Sequence, residues 1–166
     1  MFETEEELSE LQALIDRSFE GMGSHMAGIV KPERRLSGEQ VALYLQNVKH
    51  VSLATVNSRS EPINAPLDGW FLHGRFVVST SVDAVRARHM RKRPAVSLTH
   101  VDGDEIGMWV HGEARFLDRE DPLPRDYDAA AMAVYGSSPY SWGENIVVIE
   151  IQPRQMFAYA MDPTKF

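Results

Sequence analysis

"RFVVSTSVDAVRARHMRKRPAVSLTHV", residues Arg75 to Val101, sets a short basic segment between two apolar, β-branched runs. The first run ends in three hydroxyl residues, Ser79, Thr80 and Ser81. Asp83 then suits a helix N-cap, and Pro94 stops the helix before the second run begins. Five Lys or Arg fall among the eight positions Arg86 to Arg93. A strand that opens onto hydroxyls and a helix start is a physically sensible anion cradle. The first N–H groups of the helix point outward, the hydroxyls donate, and Arg86 returns one turn later as the charged partner. A solvated basic helix is the other reading of the same segment.

Outward from that stretch the period of the hydrophobic pattern changes repeatedly. Upstream, Val51, Leu53 and Thr55 alternate with Ser52, Ala54 and Val56, "NSRS" supplies turn residues, and Ile63, Ala65 and Leu67 share one face of a second run. Pro62 and Pro66 lack donors, so that strand is expected to be short, at an edge or irregular. Asp68–Gly69 and His73–Gly74 both read as turns. Downstream, Met108 to Leu117 is a long strand in which Gly112 marks a bulge or a close backbone approach. "DYDAAAMAVYG" is helical and ends at a glycine cap, and "NIVVIEI" opens a last strand. Near the start, Glu3 to Phe19 forms an acidic amphipathic helix that Thr4 can cap, and Ser37 with Gln40 makes a capping box for another. Short links between most strands predict an antiparallel sheet. The expected fold is mainly β, a small barrel of six or seven strands with peripheral helices.

The chain of 166 residues fits one domain, 1–166, whose N-terminal helical extension covers about residues 1–35. Its net charge of −7 argues against a nucleic-acid partner. No run is long and apolar enough for a membrane span, and the acidic N-terminus is unlike a secretory signal, so a cytoplasmic location is expected. There is no cysteine, and the six histidines lack HxxxH or HExxH spacing, so no metal site is expected.

The succession "HVSLATVNSRSEPINAPL", "RFVVSTSVDAVRARHMRKRPAVSLTHV", "MWVHGEARFLD" and "VVIEIQPRQMFAYA" resembles the FMN-binding split β-barrel of the pyridoxamine 5′-phosphate oxidase superfamily over roughly Leu36 to Ala160. The resemblance implies that Thr80, Ser81 and Arg86, with Ser79 beside them, hold a cofactor phosphate. It implies too that Leu53, Ala54, Thr55, Ala65 and Pro66 flank the cofactor ring. Val110, Gly112 and Ala114 match a pattern near that ring. Ala65 stands where the oxidases proper carry a phosphate-gripping Arg, and Gly107 where they carry a Gln. The "EPINAPL" form is similar to the deazaflavin-dependent reductases, which use coenzyme F-420, and Arg88 and Arg91 suit its anionic tail.

A homodimer with cofactor sites at the interface is therefore expected, with the acidic helix and the terminal strand as interface elements. The cofactor is coenzyme F-420 or FMN, with haem as the lesser alternative. The implied activity is an oxidoreductase passing hydride to or from a small, planar, unsaturated substrate. Trp70, Tyr140 and Trp142 are candidates for the substrate pocket, and His111 and Tyr135 are proton-donor candidates by type. The alternative is a non-catalytic flavin or haem carrier.

Overall fold

The alternating runs become six strands in the computed structural model, which describes residues Met1–Phe166. They are β1 (Lys49–Val56), β2 (Pro62–Leu72), β3 (Arg75–Ser81), β4 (Ala95–Asp102), β5 (Ile106–Leu117) and β6 (Ile146–Ala160). They close into a barrel in the order β1-β2-β3-β6-β5-β4, and every pairing is antiparallel. Alternation puts Val51, Leu53, Phe76, Val78, Leu98, Met108, Val110, Ile149 and Ile151 in one apolar core. The opposite faces of β2, β3 and β6 carry Trp70, Leu72, Val77 and Val148, which form a second core beneath helix α5 (Pro122–Tyr135).

Two sequence expectations change. The proline-bearing strand is long, 11 residues, rather than short. From Pro62 to Asp68 it pairs only with β1, since β3 joins it only at Trp70–Leu72, so a missing donor can face the open edge. Asp68–Gly69 is no turn either. Gly69 lies within β2, where a Cβ would come within 2.8 Å of the Val51 side chain. The β2–β3 turn is His73–Gly74, with φ of 53° and 75°, the paired left-handed conformation of a tight hairpin. Gly112 sits at the β5–β6 register shift, and a Cβ there would lie 2.2 Å from the Gln152 carbonyl oxygen.

The helices dock by their apolar stripes. Thr4 and Glu7 form the capping box of α1 (Glu5–Glu20), whose Leu11, Leu14, Ile15 and Phe19 are buried. Phe19 meets Phe157 of β6 edge-on, with centroids 5.4 Å apart, and Ser18 Oγ accepts the Met156 N–H at 2.9 Å. The apolar stripe of α1 is thus consumed inside the chain. The remaining helices are α2 (Ser24–Ile29), α3 (Gly38–Tyr44), started by the Ser37–Gln40 box, and α4 (Val85–Lys92). No helix is long and apolar enough to cross a membrane.

His73 ties three of these elements together. Its Nδ1 lies 3.0 Å from Glu7 of α1 and its Nε2 3.1 Å from Asp126 of α5, while Glu3 accepts the Gly74 N–H. Burial alone would lower the His73 pKa, but hydrogen bonds to Asp126 and Glu7 outweigh it and raise the value above the ordinary 6.5. A raised folded value means the stabilisation is complete below pH 6.5 and fades as pH climbs through that folded value. For Glu7, burial raises the pKa, but bonds from Thr4 and His73 bring it below 4.5, so its share is kept above that pH and lost on acidification. Since Asp126 is half-exposed, the clamp should contribute about 1 kcal/mol. Denaturant unfolding between about pH 6 and 9 should show wild-type stability falling by that amount, and His73→Gln should flatten the slope. Parallel curves would show that the clamp contributes nothing.

Candidate functional site

Strands β1 and β4 pair only through Ser52–Thr99, Leu53–Leu98 and Ala54–Ser97. Beyond Ala54 the first turns of α4 lie against β1, and a cavity of about 200 Å³ opens between them. Leu53, Thr55, Ile63 and Ala65 line it from the β1–β2 hairpin, and Ala84, Val85, Arg86 and His89 line it from the start of α4.

Local chain chemistry makes this end of α4 electropositive. Asp83 was the expected N-cap, but the cap position belongs to Ala84, and no side chain accepts the first N–H groups. Ser81 causes the shift. Its Oγ accepts the Asp83 N–H at 3.3 Å and its carbonyl accepts the Ala84 N–H at 3.0 Å, a turn that carries Asp83 past the cap into solvent. Bare N–H groups at a helix start favour an anion. Arg86, half-buried at the cavity wall, makes no hydrogen bond or ion pair within the chain.

The neighbouring cations are committed. Arg88 donates to the Asp83 carbonyl at 2.7 Å, and Arg91 donates to the Val82 carbonyl at 2.9 Å while lying 4.5 Å from the Phe116 ring centroid. These two arginines hold the loop that presents Arg86. With Asn57, Ser58, His89, Lys92 and Arg93 they also line a second cavity of about 340 Å³. His89 borders both cavities, and its Nδ1 is 3.0 Å from Thr55 Oγ1.

The structure therefore brings Leu53, Thr55, Ala65 and Arg86 together around one cavity. Thr80 continues the face of Phe76 and Val78 at the end of β3, the face that Leu53 and Thr55 share. Ser79 points the other way and accepts the Tyr127 hydroxyl at 2.7 Å, and Ser81 is the turn residue. Ala54 and Pro66 sit at outward positions of β1 and β2, in the rows of Asn64 and Ser52. Trp70 is only 2% exposed, wedged between Tyr127 and Tyr135. Tyr140 carries the Arg119 guanidinium on its ring, and exposed Trp142 meets Tyr135 edge-on. His111 is exposed on β5, and Tyr135 donates to Asp68 at 2.8 Å; neither lines the cavity. The sequence reading missed Ala84, Val85 and His89, although His89 lies one helical turn from Arg86, which is the signal that could have found it.

A larger cavity of about 470 Å³ lies between α1 and Arg75. Its half-buried charges are engaged, Glu7 with His73 and Arg75 with the buried Glu150, and its remaining Glu10 and Arg17 are exposed, so the candidate site is the cavity at half-buried Arg86. Arg86→Ala should leave stability within about 0.5 kcal/mol, because that side chain holds nothing in the fold. Arg91→Ala should cost about 1 kcal/mol through its lost carbonyl bond and ring contact. Urea midpoints in the reverse order would overturn this division of roles.

A family model described as pyridoxamine 5′-phosphate oxidase matches residues 37–160. No curated protein matches the sequence. Among solved structures the chain is similar to a conserved hypothetical protein of Mycobacterium tuberculosis, with a TM-score of 0.68 and 17% identity over 82% of this chain and 92% of that one. It is similar to a haem storage protein of Vibrio cholerae, with a TM-score of 0.62 and 22% identity over 75% of this chain and 95% of that one. An F-420 reductase aligns with a TM-score of 0.56 and 18% identity over 69% of this chain and 94% of that one. At these identities the likenesses establish the fold.

Proposed function

The chain belongs to the pyridoxamine 5′-phosphate oxidase family, and from that membership we propose that it is an oxidoreductase built around coenzyme F-420 or FMN. The observation that carries this reading is the uncommitted Arg86 beside an uncapped helix start, over a cavity walled by Leu53, Ile63 and Ala65. One end of that cavity suits a phosphate and the rest suits an apolar, flat group. Thr80 and Ser81 are the hydroxyls proposed beside the phosphate. Ser79 serves them indirectly, by tying β3 to α5 through Tyr127.

The cofactor, once bound, supplies hydride transfer to or from a small, planar, unsaturated substrate. The residues of the chain bind, orient and exclude water. Arg86 and the α4 N–H groups neutralise the phosphate, and the β1–β2 hairpin walls off one side of the ring. Lys92 and Arg93 extend the positive surface that Arg88 and Arg91 begin, which favours an anionic tail and hence F-420 over FMN. Trp142 and Tyr140 are the proposed substrate-side aromatics. A carrier of flavin or haem is the second reading, supported by the likeness to a haem storage protein.

We also propose a homodimer. The outward rows Ser52 and Ala54, Asn64 and Pro66, and Ser97 and Thr99 form a nearly continuous face of small side chains beside the cavity. A second copy packed there would close the cavity. Sedimentation equilibrium should give twice the chain mass, and a monomer at ~10 μM, a concentration well above the Kd of a stable dimer, would overturn this part.

Titrating the pure protein with F-420, FMN and haem, followed by fluorescence and visible absorbance, tests the cofactor reading. Arg86→Ala should weaken the preferred flavin-type cofactor by ~1.5–3 kcal/mol, the scale of a charge-assisted hydrogen bond, or roughly 10- to 150-fold. Binding of haem alone favours the carrier. Unchanged affinity in the variant moves the phosphate site elsewhere.

A further inference from the structure

The apolar cavity and the cationic pocket meet at one side chain, the imidazole of His89. Its orientation is set from β1. Thr55 is 2% exposed, and its Oγ1 lies 3.0 Å from His89 Nδ1 and 3.4 Å from the Ile63 carbonyl oxygen. The hydroxyl has one hydrogen to give: given to Ile63 it leaves Oγ1 accepting from Nδ1–H, and given to Nδ1 it makes that nitrogen the acceptor. When Thr55 donates to Nδ1, the ring carries its own hydrogen on Nε2. That nitrogen makes no hydrogen bond within the chain, and the only buried side-chain nitrogen or oxygen left without a partner is Arg35 Nε. His89 Nε2 is thus an oriented, accessible polar atom at the junction of the two cavities, and a donor in the second of these arrangements.

We infer that His89 contacts the ligand and helps determine specificity, donating from Nε2 to an oxygen acceptor of the bound cofactor while Thr55 holds the ring. This deepens the cofactor reading above and rests on it. The apolar cavity takes a flat heterocycle and the pocket of Arg88, Arg91, Lys92 and Arg93 takes an oxyanion, so a ligand occupying both must pass His89. A fixed donor at that point selects ligands that carry an acceptor there, because one without it leaves the donor desolvated and unpaired.

Two substitutions separate contact from scaffolding. Asn reproduces the reach of Nδ1, so His89→Asn can keep the Thr55 bond but cannot extend to the ligand. Gln reproduces the reach of Nε2, so His89→Gln keeps the ligand contact and loses the Thr55 bond. Fluorescence titration with FMN and with F-420, alongside thermal unfolding without ligand, reads both effects. His89→Asn should bind the cofactor ~10-fold or more weakly at an unchanged melting midpoint, while His89→Gln should stay within ~3-fold of wild type. Wild-type affinity in His89→Asn overturns the inference, as does equal weakening in both variants that tracks a fall in melting midpoint. Those outcomes leave the cofactor reading standing. A wild-type protein that binds neither FMN nor F-420 overturns that reading, and this inference with it.

Discussion

The site depends on how little holds the barrel shut. β1 and β4 share three residue pairs, whereas β5 and β6 pair along nearly their whole lengths. Past Ala54 and Ser97 the two strands need another partner for their inner faces, and α4 supplies it. Ala87 and Met90 are buried, His89 reaches Thr55, and the Ala114 N–H donates to the Pro94 carbonyl where α4 gives way to β4. A helix packed into a gap between strands leaves space at its end, and the space here is the 200 Å³ cavity. Fuller closure of β1 on β4 would remove both the gap and the opening onto which the helix start faces.

The charge distribution follows from the same junction. Two of the five cations that this acidic chain gathers in eight residues answer the Val82 and Asp83 carbonyls, which the N–H groups of α4 leave unbonded. Arg88 and Arg91 fold back onto Asp83 and Val82, and each keeps further guanidinium donors for the pocket. Arg86 leaves the helix in another direction and stays free. One basic segment thereby serves two purposes, bracing the loop and charging the cavity, and the helical wheel divides the residues between them.

Much of this was legible in the residues. The switch from helical to alternating period located every strand that lines the candidate site, Gly112 announced the close approach to Gln152, Thr4 caps α1, and the Ser37–Gln40 box forms as spelled. What the chain did not reveal was which of several similar residues faces the cavity. Ser79, Thr80 and Ser81 look equivalent in one dimension, yet strand alternation sends Ser79 to Tyr127, and a turn consumes Ser81. Asp83 is the better capping residue by type, and it lost the position to Ala84 because Ser81 tightened the preceding turn. Trp70 is a pocket candidate by type, as a ring that could stack on a flat substrate, but its contacts with Tyr127 and Tyr135 exist only once α5 lies over the barrel.

That last contact shows how the two cores are coupled. β3 presents Phe76 and Val78 to the barrel interior and Val77 to the face beneath α5, so each residue along it belongs alternately to one core and the other. Ser79 and Thr80 carry the alternation to the end of the strand. Ser79 is tied to α5 through a Tyr127 hydroxyl whose pKa burial pushes up to about 12, which keeps the donor protonated across the physiological range. Thr80 is left on the inward face, in the row of Phe76 and Val78. α5 is in turn held at its second turn by His73 and at its last residue by the Tyr135 bond to Asp68 of β2. Movement of α5 would therefore act on Ser79 first and reach Thr80 through the backbone of β3, which couples the core beneath α5 to the inward face of the barrel.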